Sequence, residues 1–552
     1  MVCSSDTADK IKGECRLMKK TISLFLAALM IFSLFVPVSA VSVKTRAKYP
    51  MIYFRGNSET IYDEDGNAVY DFEVEGDTIK QMAKKILPYF AKGYITNDFD
   101  EYYKVFAEEM TKLYDKCILD GDGNPRYGTG ISEEQKKNNI IEMNTNYANS
   151  AGTFNINSYD FANDWRLDPL TTVDEVDKYI NGVLKVTGKD KVCLVCKCLG
   201  GDLILAYLAK YGTEKIHSVC FGSTVAFGGD LANDPFSGHL SIDGDNLDRF
   251  ASDTFLSKLL PNFDEVVYEF IKQTVSLANA AGIADGASDA FMKLLYNKLY
   301  KGLVPALATA TYGTWPGYWT MVTADRYEEA KHFVFGDESS EKYQQYAGLI
   351  KKLDNYDKLV RQRIPELLKN AEADGVNICI VSKYGFQMPP VIEAADEQGD
   401  VWTTTRYSSL GATVSKTGTT LSDEYIESRK ALGLGKYISP DKQIDASTCV
   451  FPEYTWFIKG AIHDDWTKEE DRIIITVCDS DERVTVDNLD NRPQFLVYDR
   501  STDSVSPMTE DNCHTETYEV DPGPKHRLLS FLTAFFRWLK AAFDFSKHLS
   551  SK

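Results

Sequence analysis

The chain has 552 residues, 43% hydrophobic, 12% aromatic and 26% charged. That composition supplies a sizeable core on a soluble surface and argues against both wholesale disorder and a polytopic membrane protein. With 81 acidic against 61 basic residues and a net charge of −20, it would repel a phosphate backbone, which sets nucleic-acid binding aside.

Met18-Lys19-Lys20 precedes an apolar run, residues 22–36, that closes on Pro37-Val38-Ser39-Ala40. A basic pair, a short apolar stretch and small residues at a cleavage point make residues 1–40 a secretory signal peptide, so the product is expected to be secreted or associated with the cell surface. A retained anchor helix is the competing reading, for which the run is short. Of 11 cysteines, Cys3 and Cys15 fall in this leader. The odd remainder leaves at least one thiol unpaired in a monomer, and several sit in apolar runs where cysteine acts as a small hydrophobe.

Pro50-Met51-Ile52-Tyr53-Phe54 has the pattern of a buried strand, stopping at Arg55-Gly56-Asn57-Ser58. Asp65-Gly66-Asn67 is a hairpin signal within residues 62–72, and residues 77–119 carry helical spacing. An amphipathic helix is expected over 173–184, a strand over 191–195, a helix over 203–210 and a strand over 218–221. Strands alternating with helices require crossovers, and hence a mostly parallel α/β sheet flanked by helices. This first part of the core spans residues 41–221. Long helical stretches, 255–278 and 290–300 among them, then suggest a helical cap insertion over 222–375. The sheet resumes at Val376-Asn377-Ile378-Cys379-Ile380-Val381 and continues at Thr455-Trp456-Phe457-Ile458, giving a second core part over 376–470. Residues 471–525 read as a β-rich extension, with strand-like character over 473–498. The last segment, 526–552, reads as an amphipathic helix. Its narrow polar stripe of Ser530, Thr533, Arg537, Lys540, Asp544 and Lys547 fits either a membrane interface or docking on the core.

The strand ending at Val195 runs into Cys196-Lys197-Cys198-Leu199-Gly200-Gly201 and directly into a helix. A strand, a sharp turn of small residues and a helix are the context of a nucleophile elbow, G-x-S-x-G. Cys198 stands at the serine position and Cys196 at that of the first glycine. Together with Tyr159-Asp160 and Asp164-Trp165-Arg166-Leu167-Asp168-Pro169, this segment resembles the α/β-hydrolase fold, most closely its lipase and lecithin:cholesterol acyltransferase-like branch. The resemblance runs from about Pro50 to about His463. Family members carry Gly-His-Ser where this chain has Cys196-Lys197-Cys198, so the flanking features match and the nucleophile differs.

The resemblance implies the chain order nucleophile, acid, histidine. His463, just past the strand at 455–458, is the expected general base. Asp400, in Asp396-Glu397-Gln398-Gly399-Asp400-Val401-Trp402, is the expected acid, with Asp396 as the alternative. The oxyanion donors would be the backbone N–H groups of Leu199 and Asn57. Such a set performs acyl transfer on an acyl ester or lipid through a covalent acyl-enzyme and needs neither cofactor nor metal. A thiol at a helix N-terminus beside an imidazole ionises readily, which favours an active thiol hydrolase or acyltransferase. The altered first glycine favours a catalytically inactive hydrolase-fold protein that binds lipid. Cys193-x-x-Cys196-x-Cys198 suggests a metal cluster, but no second ligand pair follows. The cap, rich in Leu, Ala and aromatics over 303–319, could line an apolar channel or simply pack its own core. Asp63 to Asn67 and Asp120 to Asn124 are turns that lack a calcium loop's closing glutamate.

Overall fold

The computed structural model describes residues 48–69 apart from 58, scattered positions between 82 and 96, and residues 98–140, 159–239, 301–390 and 392–513, together with 44–45, 154–155, 246 and 540. The expected signal peptide, the helices at 255–278 and 290–300, and the C-terminal amphipathic helix apart from Lys540 lie outside the described residues. None of the described helices is long and apolar enough to cross a membrane.

At the centre is an eight-stranded sheet. Its strands are β1 (Met51–Phe54), β2 (Asp160–Phe161), β3 (Val192–Cys198), β4 (Ile216–Thr224), β5 (Asn377–Tyr384), β6 (Thr455–Lys459), β7 (Phe495–Asp499) and β8 (Ser504–Pro507). Their spatial order is β8-β7-β6-β5-β4-β3-β1-β2. Every neighbouring pair is parallel except β7 and β8. Parallel neighbours need crossovers, so helices cover both faces and the inner strands are buried along most of their length.

One face carries α1 (Pro169–Thr187), α2 (Gly201–Tyr211) and α4 (Ile364–Ala373). Val173, Val176, Leu203, Tyr207, Leu367 and Leu368 pack there on Leu194, Cys196, Val219 and Ile380. Asp168 caps α1 by accepting from Leu170 N at 3.1 Å, with Pro169 opening the helix and Gly188 in left-handed geometry closing it. The other face carries α5 (Lys468–Asp479), whose Ile473, Ile474, Val477 and Cys478 cover Cys193, Val195, Cys220, Cys379 and Val381.

The β-rich reading of residues 473–498 is corrected here. The β-branched run Ile473-Ile474-Ile475-Thr476-Val477 is helical, because it has an apolar stripe to bury, Thr467 caps it by accepting from Glu470 N at 3.1 Å, and acidic residues fill its first turn. Packing on the sheet outweighs β propensity. The following strands, β7 and β8, belong to the central sheet.

After β4 comes α3 (Asp230–Ser237). Further helices follow at Lys301–Ala310, Tyr327–Phe335 and Ala347–Leu359. They share an apolar cluster that includes Phe236, Trp319, Tyr327, Phe335, Leu349 and Leu353.

Candidate active site

β3 ends at Cys198, which has φ of 55°, and α2 begins at Gly201. A left-handed conformation at a residue with a side chain costs about 1–3 kcal/mol and persists only where its surroundings enforce it. Here the Cys198 carbonyl accepts from Thr224 Oγ1 at 3.0 Å and from Val225 N at 3.2 Å. Tight approach enforces the rest. A Cβ on Gly200 would lie 2.8 Å from the Phe54 Cβ, and one on Gly201 would lie 3.0 Å from the Ala226 Cβ and 3.3 Å from the Cys196 sulfur. Cys196, which the sequence suggests fits the elbow poorly, is buried among the apolar residues under α2. Its sulfur takes the space that Gly201 leaves open.

His463 follows β6 and a turn at Gly460, whose φ is 82°. Asp400 lies in the loop after β5, next to Val401 at φ 88°. The two loops are joined twice. The His463 N–H donates to the Asp400 carbonyl at 2.9 Å, and His463 Nδ1 lies 2.8 Å from Asp400 Oδ2. Asp400 Oδ1 accepts from Trp402 N at 3.1 Å and Thr403 N at 3.0 Å. Both side chains are buried. The indole of Trp402 tilts beside the imidazole, with ring centroids 6.0 Å apart. Asp396, the alternative acid, pairs instead with Lys416 at the surface.

The electrostatics follow from this packing. Burial opposes a charge on His463, but the Asp400 carboxylate and the Cys198 sulfur outweigh it and raise the imidazole to about 10. Burial likewise works against the Asp400 carboxylate, yet His463, the Thr403 amide and Lys383 hold it below its ordinary value. His463 Nε2 is buried with no hydrogen-bond partner of its own among the described residues. The Asp400 carboxylate is therefore in direct contact with the imidazole, and the Cys198 sulfur is near enough to favour the imidazole's charge.

Gly56, at φ 58°, lies against the elbow, where a Cβ would stand 2.9 Å from the Cys198 Cβ and 3.1 Å from Leu199 N. The Gly56 turn thus lies against the Leu199 amide, and among the described residues neither the Leu199 nor the Asn57 N–H donates to a protein group. Asn57 Nδ2 donates to the Tyr318 hydroxyl at 3.1 Å. An apolar group of Trp165, Trp315, Leu199, Val225, Met321 and Tyr318 packs up to Cys198. The Trp165 ring is fixed by its indole N–H donating to the Glu59 carbonyl at 2.8 Å, and Arg166 is fully buried on Asp164.

Cys193 and Cys196 point to opposite faces of the sheet, so the cysteine spacing gathers no ligand set. The segments at Asp63 and Asp120 are closed turns, in which Asp63 Oδ1 accepts from Asn67 N and Asp120 Oδ1 from Asn124 N, both at 2.9 Å. Sequence reasoning names Trp402 only as the end of the Asp400 segment, with no role, and misses Lys383, which carries no motif of its own.

No protein-family model matches the chain, and no curated protein matches it. The fold is established as an α/β protein with a mostly parallel eight-stranded sheet flanked by helices.

Proposed function

We propose that the protein is an acyl hydrolase or acyltransferase of the α/β-hydrolase type, akin to the lipase and lecithin:cholesterol acyltransferase-like branch, acting through Cys198, His463 and Asp400. The observation that carries the reading is the buried Asp400–His463 pair at 2.8 Å facing a cysteine held in left-handed geometry at a strand-to-helix bend.

His463 takes the thiol proton on Nε2 while Asp400 holds the Nδ1 proton and the positive charge. The sulfur attacks the ester carbonyl carbon, forming a C–S bond, and the carbonyl electron pair moves to an oxyanion received by the Leu199 and Asn57 N–H groups. Collapse breaks the C–O bond, and His463 returns its proton to the leaving alkoxide. Water or a second alcohol, deprotonated by His463, then attacks the thioester and releases the acid or the new ester. The Trp165, Trp315 and Tyr318 group beside Cys198 favours an apolar acyl chain. Export by the leader and membrane contact through the C-terminal helix belong to the same proposal.

Purified protein incubated with p-nitrophenyl and thioester substrates is expected to turn them over, and Cys198→Ala to abolish turnover without loss of fold. Bound lipid on a correctly folded protein with no turnover would assign it to the inactive, lipid-binding class instead.

A further inference from the structure

Lys383 lies near the end of β5 and is fully buried. An amine is buried this deeply only if its charge and its donors are matched. Its ammonium donates to the His463 carbonyl at 3.4 Å and to the Asp465 carbonyl at 2.5 Å, on either side of Asp464. It lies 3.2 Å from the Glu470 carboxylate of α5, which is equally buried and, among the described residues, has no hydrogen bond besides this ion pair. The indole of Trp466 lies 6.0 Å from the ammonium. Meanwhile the Lys383 carbonyl accepts from Thr405 Oγ1 at 3.0 Å, in the helical turn just beyond Asp400. One residue therefore holds the segments that carry the acid and the base.

We propose that Lys383 is a positioning residue of the triad: its ammonium fixes the loop that carries His463 and supplies a positive charge facing Asp400, and Glu470 balances that charge from α5. The inference rests on the triad reading above.

The charged neighbours are few. Around Lys383 stand Glu470 and Asp471 of α5, Asp400, and Lys197 at the end of β3, itself 3.9 Å from Asp464. The groups that act most strongly on the His463 ring are Asp400 and Cys198. Lys383 touches the His463 segment directly and its charge favours the Asp400 carboxylate, so its effect should reach Cys198 through the acid and the base. A buried ion pair of this kind need not stabilise the fold more than apolar residues of the same size would, so its place between the two loops is better explained by positioning.

The test uses the full-length protein and the rate of Cys198 alkylation by iodoacetamide, followed by peptide mapping from pH 3 to pH 9. Lys383→Met alone strands the Glu470 carboxylate and can unfold the protein, so the informative variant is Lys383→Met/Glu470→Gln. The inference predicts that its acid limb moves up by about one pH unit, so that the rate at a pH below that limb falls about tenfold. A purely structural role would lower the melting temperature and leave the acid limb in place. A folded double variant with the wild-type profile would overturn the inference while sparing the triad. Wild-type protein in which Cys198 labels no faster than Cys379 would remove the triad reading, and the inference with it.

Discussion

Replacing Asp400 with asparagine isolates the electrostatic heart of the site. The carbonyl oxygen of the introduced amide can keep the Trp402 and Thr403 N–H groups that Oδ1 now accepts, so the loop should hold its shape. The atom facing His463 Nδ1 becomes an N–H₂ donor, however. The imidazole must then accept at Nδ1 and carry its proton on Nε2, the nitrogen that should take the thiol proton. The carboxylate is also the largest favourable influence on the His463 charge, against a burial penalty that remains. Without it only the Cys198 sulfur opposes burial, and the imidazole should fall from about 10 toward its ordinary 6.5, a loss of at most roughly 5 kcal/mol at 1.36 kcal/mol per pH unit. Turnover should drop by about four orders of magnitude, as expected when an acid–imidazole pair loses its tautomer control. Alkylation of Cys198 should slow at least about a hundredfold at pH 7. The assay is iodoacetamide labelling with peptide mapping across pH, and circular dichroism to confirm folding. A folded variant whose Cys198 labels at the wild-type rate and with the wild-type pH profile would refute the reasoning.

Stability should depend on pH through the same pair. The His463 pKa is raised, so its contribution is full below about 6.5 and lost as pH rises through about 10; the Asp400 pKa is lowered, so its contribution is present above 3.8 and lost on acidification. The melting-temperature gap between wild type and Asp400→Asn should therefore be widest near pH 5 to 6 and close toward both extremes, and a gap independent of pH would contradict the assignment. Gly56→Ala places a methyl 2.9 Å from the Cys198 Cβ and 3.1 Å from Leu199 N at a positive φ. It should destabilise by about 1–2 kcal/mol and cut kcat by about a hundredfold, with KM little changed in steady-state kinetics. Asp396→Asn removes only the exposed pair with Lys416, worth under about 1 kcal/mol, and should leave Cys198 labelling unchanged.

The elbow is legible because its local chemistry is distinctive: an apolar strand, two small residues and an apolar helix follow one another without a loop. Asp400 and His463 are reachable because each sits in the first loop past a strand whose apolar run is visible. The run from Ile473 to Val477 misleads, since β-branched residues read as a strand until the sheet face that buries Ile473, Ile474 and Val477 is known. Lys383 is invisible for a related reason. Its meaning depends on Glu470 and on the carbonyls of His463 and Asp465, 80 or more residues away in sequence, and a lysine ending an apolar strand usually marks where the strand meets water.

Acid-quenched mass spectrometry after brief incubation with p-nitrophenyl butyrate tests the central claim most directly. A butyryl mass on the peptide carrying Cys198, absent from Cys198→Ala and accumulating in His463→Ala only at a strongly reduced rate, is the predicted result. Ester turnover that persists undiminished in Cys198→Ala, or an acyl mass on a different residue, would contradict it.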